Sequence, residues 1–174
     1  MERIQQQIRH AGLCLTPLCQ DDNELFIELF TNIDVMKHIA PVMTQFEADE
    51  LFKKALRGDS SAYYWSVSSD NDSGMGITAL ISTEDDRAEF GLMLLPEHCN
   101  KGYSVLVGAA LINFGFSVWG LEGLDVKHRI SNKAVPAFLT RLHIEYSNEQ
   151  NGFGYWIMRR SRWQQYLAIY PYQI

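Results

Sequence analysis

The 174-residue sequence has few cysteines, no long apolar run and no excess of basic residues. Its three cysteines, Cys14, Cys19 and Cys99, form no CxxC pair and no Cys/His cluster, so neither a disulfide framework nor a zinc site is predicted. No segment approaches the roughly 18 consecutive apolar residues of a membrane span, and the polar MERIQQQIRH start is unlike a secretory signal. We therefore expect a cytoplasmic protein without a metal.

The charge balance and missing motifs exclude several functions. With 15 basic and 21 acidic residues the net charge is -6, which argues against a general nucleic-acid surface and is compatible with a cationic partner or substrate. No GxSxG, HExxH or GxxxxGK[ST] motif occurs, which excludes common hydrolases, zinc proteases and nucleotide-binding loops. A hydrophobic content of 47% suffices for one core, so we expect a single domain over residues 1–174.

Apolar spacing predicts one strand and then helices in the first third. GLCLTPL alternates leucines up to Pro17, which favours a strand that ends there. Helical spacing follows in DDNELFIELF and in the short NIDVMKHIA. Thr44 and Glu47 then have capping-box spacing ahead of a third helical segment, which Gly58 ends.

The middle and end of the chain change period. AYYWSVSS, GMGITALIS and AEFGLMLL are separated by polar turns and predict a three-stranded antiparallel meander over residues 63–95. YSVLVGAALINFGFSVWG, GLDVKH and NKAVPAFLTRLH then predict helix, strand and helix, and the first two complete a right-handed parallel βαβ unit. IEYSNEQNGFGYWIMRR predicts a hairpin, followed by the polar-aromatic tail SRWQQY. The predicted order is β, α, α, β, β, β, α, β, α, β, β.

CNKGYSVLVGAAL, which joins the meander to the buried helix, predicts an anion site. The chain enters the helix through five residues: Asn100, Lys101, Gly102, Tyr103 and Ser104. Free backbone N–H groups and the positive end of the helix dipole then face one concavity, where phosphate is the natural guest. One glycine before a helix is also ordinary turn chemistry, so the turn alone leaves both interpretations open.

The element order and local sequence resemble the GNAT superfamily of acetyl-CoA-dependent N-acetyltransferases, in particular its RimJ/RimL branch. The resemblance covers nearly the whole chain and rests on LCLTPLCQDDNELFIELFTNIDVMKHI, AEFGLMLLPEHCNKGYSVLVGAAL, SNKAVPAFLTRLHI and RRSRW. It implies an α/β fold with a mixed, mostly antiparallel seven-stranded sheet flanked by helices. The central parallel strands would splay near Leu94 and Asp125 to admit a thioester.

The resemblance also implies where acetyl-CoA binds. The turn at residues 100–104 would hold its pyrophosphate, with Gly102 allowing close approach. Backbone groups of Met93, Leu94 and Leu95 would pair with the pantetheine amides, and Asn132 would contact the cofactor arm.

Two motifs depart from the family pattern. In CNKGYS, Cys99 stands where the family has arginine or glutamine and Ser104 replaces the last small residue, although Gly102 is kept. In the second motif Val135 replaces the serine that often follows Asn132, and RLHI places His143 where the family ends in lysine-leucine-glycine-phenylalanine. Neither Phe138 nor Leu139 supplies the tyrosine that other members use, so the general acid is unassigned.

Amine attack on a thioester needs a proton acceptor and a polarised carbonyl. Glu89, entering the fourth strand, matches an acidic position often seen in this branch and could accept the proton directly or through water. The alternative is a solvated glutamate that pairs with Arg87 or a cross-strand neighbour. A strand-four N–H near Met93 or Leu94 would polarise the carbonyl. The histidines lack partners at motif spacing, and most aromatic residues are predicted core, although one face of them could line an acceptor pocket.

We expect an enzyme that transfers acetyl from acetyl-CoA to a primary amine in a ternary complex. The resemblance points to a protein N-terminal amine, such as that of a ribosomal protein. The short YSNEQNGF connection leaves a small amine or antibiotic open, and Val135 leaves a catalytically weak acyl-CoA-binding regulatory protein open. No nucleic-acid or membrane partner is expected, and a homodimer is left open.

Overall fold

The computed structural model describes residues 5–58 and 61–169, and these form eight strands and six helices. The strands are β1 Ile8–His10, β2 Leu13–Pro17, β3 Ala62–Ser69, β4 Gly76–Ser82, β5 Arg87–Leu94, β6 Gly123–Arg129, β7 Glu145–Gln150 and β8 Phe153–Arg159. The helices are α1 Asn23–Thr31, α2 Ile33–Met36, α3 Gln45–Arg57, α4 Tyr103–Ser117, α5 Val135–Arg141 and α6 Arg160–Ile169.

All the described strands belong to one open mixed sheet in the order β1-β2-β3-β4-β5-β6-β8-β7. Every neighbouring pair is antiparallel except β5 and β6, which are parallel and joined through α4. The predicted mixed sheet, the meander and the βαβ unit are confirmed. The predicted strand count was one too low, because Ile8–His10 pairs with β2 as a short hairpin.

Two helical layers cover the sheet. On one face α4, α5 and α6 enclose the larger core, in which Trp65 packs edge-on against Phe114 with ring centroids 5.6 Å apart. On the other face α1 and α3 enclose a smaller core, where Phe26 and Phe52 are fully buried over Ile77 of β4. Helix α3 of this second layer contacts β3, and α1 contacts β4.

Three helices lie between β2 and β3, one in each of the three predicted helical segments although the predicted order counted two, and α2 is a single turn. The capping box before α3 is confirmed: Glu47 N–H donates to Thr44 Oγ1 at 3.2 Å, and Thr44 N–H donates to Glu47 Oε2 at 2.8 Å. Gly58 ends α3 in the left-handed region with φ 67°.

The C-terminal hairpin of β7 and β8 is confirmed, with its turn at Asn151 and Gly152. The predicted polar-aromatic tail after it forms most of α6. The helix is held by Trp163, whose ring stacks on Phe116 at 5.2 Å between centroids. None of the helices in the described ranges has the length and apolar character needed to cross a membrane.

Candidate active site

The central feature of the sheet is a gap between its two parallel strands. β5 and β6 pair through three residue pairs only, ending at Glu89 and Asp125. Beyond that point β5 stays paired with β4 up to Leu94, and β6 stays paired with β8 up to Arg129. The inner edges of residues 90–94 and 126–129 therefore line a slot, which confirms the predicted splay.

The backbone register of β5 decides which groups face this slot. Arg87 carbonyl accepts from Thr83 N–H, and Leu95 N–H donates to Met75 carbonyl, both at 3.0 Å on the β4 side. Because peptide groups alternate between the two edges of a strand, Met93 also faces β4, and its carbonyl oxygen lies against Gly76. The backbone groups of Met93 and Leu95, predicted to pair with the pantetheine amides, are therefore turned to β4 rather than to the slot.

Leu94 remains from that predicted set, and Leu92 joins it. Both lie at the alternate positions of β5, whose peptide groups point to the edge that β6 leaves after Asp125. The register of β4 and β5 is continuous from Ser82 to Gly76, so β5 has no bulge within the described chain. The N–H groups of Leu92 and Leu94 therefore face the slot through ordinary strand alternation.

The turn before α4 has the geometry of an anion site. Gly102 is the N-cap residue with φ 86°, and Asn100 also has a positive φ of 59°. A side-chain cap is absent at this helix start, and no described residue accepts from the N–H groups of Tyr103 and Ser104. Lys101 is exposed beside them. The five predicted residues therefore form an exposed turn, residues 100–102, and the half-buried start of α4, with free donors and a nearby positive charge.

The two residues directly before this turn, His98 and Cys99, were not predicted to contribute to the anion site. His98 is 9% exposed, its buried Nδ1 has no protein partner, and its ring lies 6.3 Å from that of Tyr103. Cys99 Sγ points back to the Leu95 carbonyl oxygen at 3.5 Å. Burial, and secondly the Glu97 carboxylate, raise the pKa of this thiol, so Cys99 stays neutral and adds no repulsion to an anion.

Glu89 lies at the closed end of the slot, on the sheet face opposite α4. Arg87, the partner considered from the sequence, is engaged elsewhere: its Nε donates to Asp125 Oδ2 at 2.9 Å and its Nη2 donates to Asp125 Oδ1. Within residues 5–58 and 61–169, Glu89 has neither an ion pair nor a side-chain hydrogen bond. Burial raises the pKa of Glu89, Asp125 adds to the rise, and Lys127 opposes it.

The β6 side of the slot, which we call its far arm, continues into the turn after that strand. Asn132 is half-buried there, and α5 begins three residues later at Val135, so Asn132 precedes the helix rather than starting it. His38, from the segment after α2, reaches across to this turn with Nδ1 3.1 Å from Ser131 Oγ. This contact joins the N-terminal layer to the far arm of the slot, and no sequence motif indicated it.

The α5 side chains at the two positions considered for the family's tyrosine cannot act as a general acid. Leu139 is fully buried in the larger core, and Phe138 lies 6.3 Å from Phe90 between ring centroids. Neither carries a proton to donate. The described residues also contain no group of three or more His, Cys, Asp or Glu side chains that could hold a metal ion.

Residues 12–145 match the family model described as an acetyltransferase (GNAT) domain. The chain therefore belongs to the GNAT acetyltransferase family. It is an acetyltransferase, and the acyl donor of this family is acetyl-CoA. No curated protein sequence matches the chain.

Solved structures share the fold at low sequence identity. The spermidine N-acetyltransferase from Vibrio cholerae, in complex with CoA and spermine, has a TM-score of 0.77 at 18% identity, covering 88% of this chain and 98% of that one. An acetyltransferase (GNAT family) from Bacillus anthracis has 0.77 at 17% identity, covering 90% and 99%. A GCN5-related N-acetyltransferase from Brucella melitensis has 0.79 at 14% identity, covering 97% and 85%.

Proposed function

We propose that this chain acetylates a primary amine in a ternary complex, with Glu89 as the proton acceptor. One observation carries the proposal. Glu89 is half-buried and forms no ion pair within the described residues, and it lies where β5 and β6 part, on the sheet face opposite α4. An amine on that face can approach a thioester in the slot from the side opposite α4.

The turn before α4 and the slot fit acetyl-CoA. The free N–H groups of Tyr103 and Ser104 follow Gly102, and Lys101 lies beside them. Together they complement the negative charge of a pyrophosphate. Leu94 offers backbone groups to the pantetheine amides, and Asn132 lies on the other arm. The unpartnered Nδ1 of His98, buried behind the turn, supports a site that a ligand completes.

Glu89 supplies the base that the reaction needs. Acetyl-CoA provides an acetyl group activated as a thioester, and the acceptor must present a neutral amine to it. Glu89 takes the ammonium proton directly or through one water, and its raised pKa brings its basicity closer to neutral pH. The N–H of Leu92 or Leu94 polarises the acetyl carbonyl. Solvent supplies the proton for the leaving thiolate, because Val135, Phe138 and Leu139 cannot.

For the acceptor we favour a protein N-terminal amine, in the manner of the RimJ/RimL branch. The turn between β7 and β8 is only two residues long, so this connection places no long loop over the sheet. A small amine is the second candidate, since the Vibrio cholerae neighbour is a spermidine N-acetyltransferase. We place the reaction in the cytoplasm, where the free thiols of Cys14, Cys19 and Cys99 remain reduced.

Turnover tests this proposal against a regulatory acyl-CoA-binding role. The purified protein is incubated with acetyl-CoA and a panel of N-terminal peptides and small amines, and release of the CoA thiol is followed. Acetylation of at least one amine at a rate that falls with Glu89→Gln is expected. Tight CoA binding without acetylation of any amine would instead support the regulatory role that Val135 left open.

A further inference from the structure

Two cations, Lys127 and Arg129, lie on one face of β6 and form no ion pair within the described residues. No carboxylate in residues 5–58 or 61–169 forms an ion pair with either of them. Both rest on the ring of Phe153 in β8: Lys127 Nζ lies 4.4 Å from the ring centroid and Arg129 Cζ lies 5.1 Å from it. Lys127 Nζ also lies 5.7 Å from the centroid of Tyr155.

This face is the one that carries Glu89. Asp125 pairs with Glu89 across the parallel strands, and Lys127 and Arg129 follow Asp125 at alternate positions of β6. Lys127 acts electrostatically on Glu89, which agrees with this placement. At about 3.3 Å per strand residue, the two cations lie roughly 7 and 13 Å further along β6 than Asp125.

Glu89 is one carboxylate against these two cations, and the other neighbouring carboxylates do not balance them. Asp125 is held by Arg87 in a two-bond pair, and Glu145 of β7 is shared by Arg159 and Arg162. An acceptor that extends along β6 from Glu89 therefore meets net positive charge. The rings of Phe153 and Tyr155 on this face, which could bind a substrate ammonium, are already in contact with the protein's own cations.

We propose that the acceptor is a peptide N-terminus with a carboxylate in its first few residues, and that Lys127 and Arg129 bind that carboxylate. The inference rests on the proposed function, because it takes the amine to lie at Glu89. An extended peptide spans about 3.3 to 3.6 Å per residue, so an Asp or Glu at its second to fourth position reaches the two cations. A polyamine places further positive charge there and is disfavoured.

Matched peptides provide the test. Three peptides share an N-terminal serine and differ at positions two to four, which are acidic, neutral amide or basic, and spermidine is a fourth acceptor. Binding to the CoA-bound protein is measured by calorimetry, and kcat/KM is measured with acetyl-CoA. The acidic peptide is expected to bind and react about tenfold better than the neutral one, with the basic peptide and spermidine weakest.

Variants assign that preference to the two side chains. Lys127→Gln combined with Arg129→Gln should remove the roughly tenfold advantage of the acidic peptide while leaving CoA affinity and the neutral peptide within about threefold. Lys127→Glu should shift the preference towards the basic peptide. Lys54→Gln, at an exposed position of α3, is the matched control and should change nothing.

The outcomes separate this inference from the proposed function. Equal or stronger binding of spermidine or the basic peptide by the parent protein would overturn the inference, as would variants that weaken CoA binding and not peptide binding. The latter result would assign Lys127 and Arg129 to the phosphates of the donor. Selective binding of the acidic peptide without its acetylation would leave the charge preference standing and contradict the acetyl transfer instead.

Discussion

Arg87 and Asp125 form a two-bond ion pair that joins β5 to β6 immediately before the strands part. Arg87 lies two positions before Glu89 on the same strand and face, yet its guanidinium extends across Gly123 to the Asp125 carboxylate. The pair has two effects: it closes the slot at one end and keeps a permanent cation away from Glu89. Glu89 can therefore keep the raised pKa that suits a base.

Asp125→Asn should lower the pKa of Glu89. The substitution removes a nearby negative charge and leaves Arg87 without its partner, and both changes favour ionised Glu89. The acidic limb of the kcat/KM profile should move to lower pH by about half a unit to one unit, and the plateau should fall about threefold to tenfold because the base is weaker. Kinetics between pH 5 and 9 measure both changes.

Glu122→Gln is the matched control for Asp125→Asn. It breaks another carboxylate-arginine pair, in which Arg160 Nε lies 3.1 Å from Glu122 Oε1, away from the slot. Its pH profile should match that of the parent. An Asp125→Asn profile with an unmoved acidic limb would show that Arg87 does not govern the ionisation of Glu89.

Glu89→Gln should slow acetyl transfer by roughly tenfold to a hundredfold at neutral pH, because a positioned general base typically contributes about 10²- to 10⁴-fold. Affinity for CoA should stay within about threefold, and the variant should recover partly at high pH as free amine becomes abundant. Steady-state kinetics at saturating acceptor and calorimetry with CoA give the two numbers. Equal rates for parent and variant at pH 7 would remove Glu89 from the mechanism, which would then rely on positioning alone.

Glu89→Gln should also raise stability at neutral pH. The folded pKa of Glu89 lies above its unfolded value, so the folded chain holds this proton more tightly and parent stability falls as pH rises from the unfolded pKa through the folded one. The Glu89→Gln variant has no carboxylate to ionise at this position, so its stability does not fall over this pH range. Its melting temperature should exceed that of the parent above this window and match it near pH 4. A variant less stable than the parent at pH 8 would contradict the burial of an unpaired carboxylate.

Gly102→Glu should abolish CoA binding. A carboxylate would repel the pyrophosphate at the start of α4, and φ 86° strains any side chain there, although the space beside Gly102 is open. Parent protein at a CoA concentration of 100 times Kd should gain about 2.7 kcal/mol of stability, and the variant should gain none. Gly58→Glu, at φ 67° in open space directly after α3, is the control for strain and charge. Undiminished CoA binding by Gly102→Glu would place the pyrophosphate elsewhere.

Much of the fold was predictable because its signals are local. The capping box of Thr44 and Glu47, the stop at Gly58 and the alternation of the meander each depend on residues close in sequence. The strand at Ile8–His10 was missed because three residues without an apolar pattern become a strand only by pairing with β2. The helix at Arg160–Ile169 lacks an apolar stripe and depends on Trp163 finding Phe116, 47 positions earlier.

In the candidate site too, the features with local signals were predictable and those that depend on strand pairing were not. Gly102 and the anion turn could be predicted from a strand, a turn and a helix in succession. The direction of each β5 peptide group depends on pairing with β4, so Met93 and Leu95 could not be told from Leu94. From the sequence, Arg87 was a candidate partner of Glu89. The register of β6 places Asp125 beside Glu89, and Arg87 pairs with Asp125 instead. The charged residues Asp125, Lys127 and Arg129 at alternate positions of GLDVKHR were a signal that could have been used.

A crystal structure with bound CoA tests most directly whether the slot between β5 and β6 is the acetyl-transfer site. We predict the pyrophosphate within hydrogen-bond distance of the Tyr103 and Ser104 N–H groups, the pantetheine arm against Leu94, and the sulfur between the strands on the way to Glu89. CoA bound outside the slot, or with its sulfur far from Glu89, would contradict the proposed site.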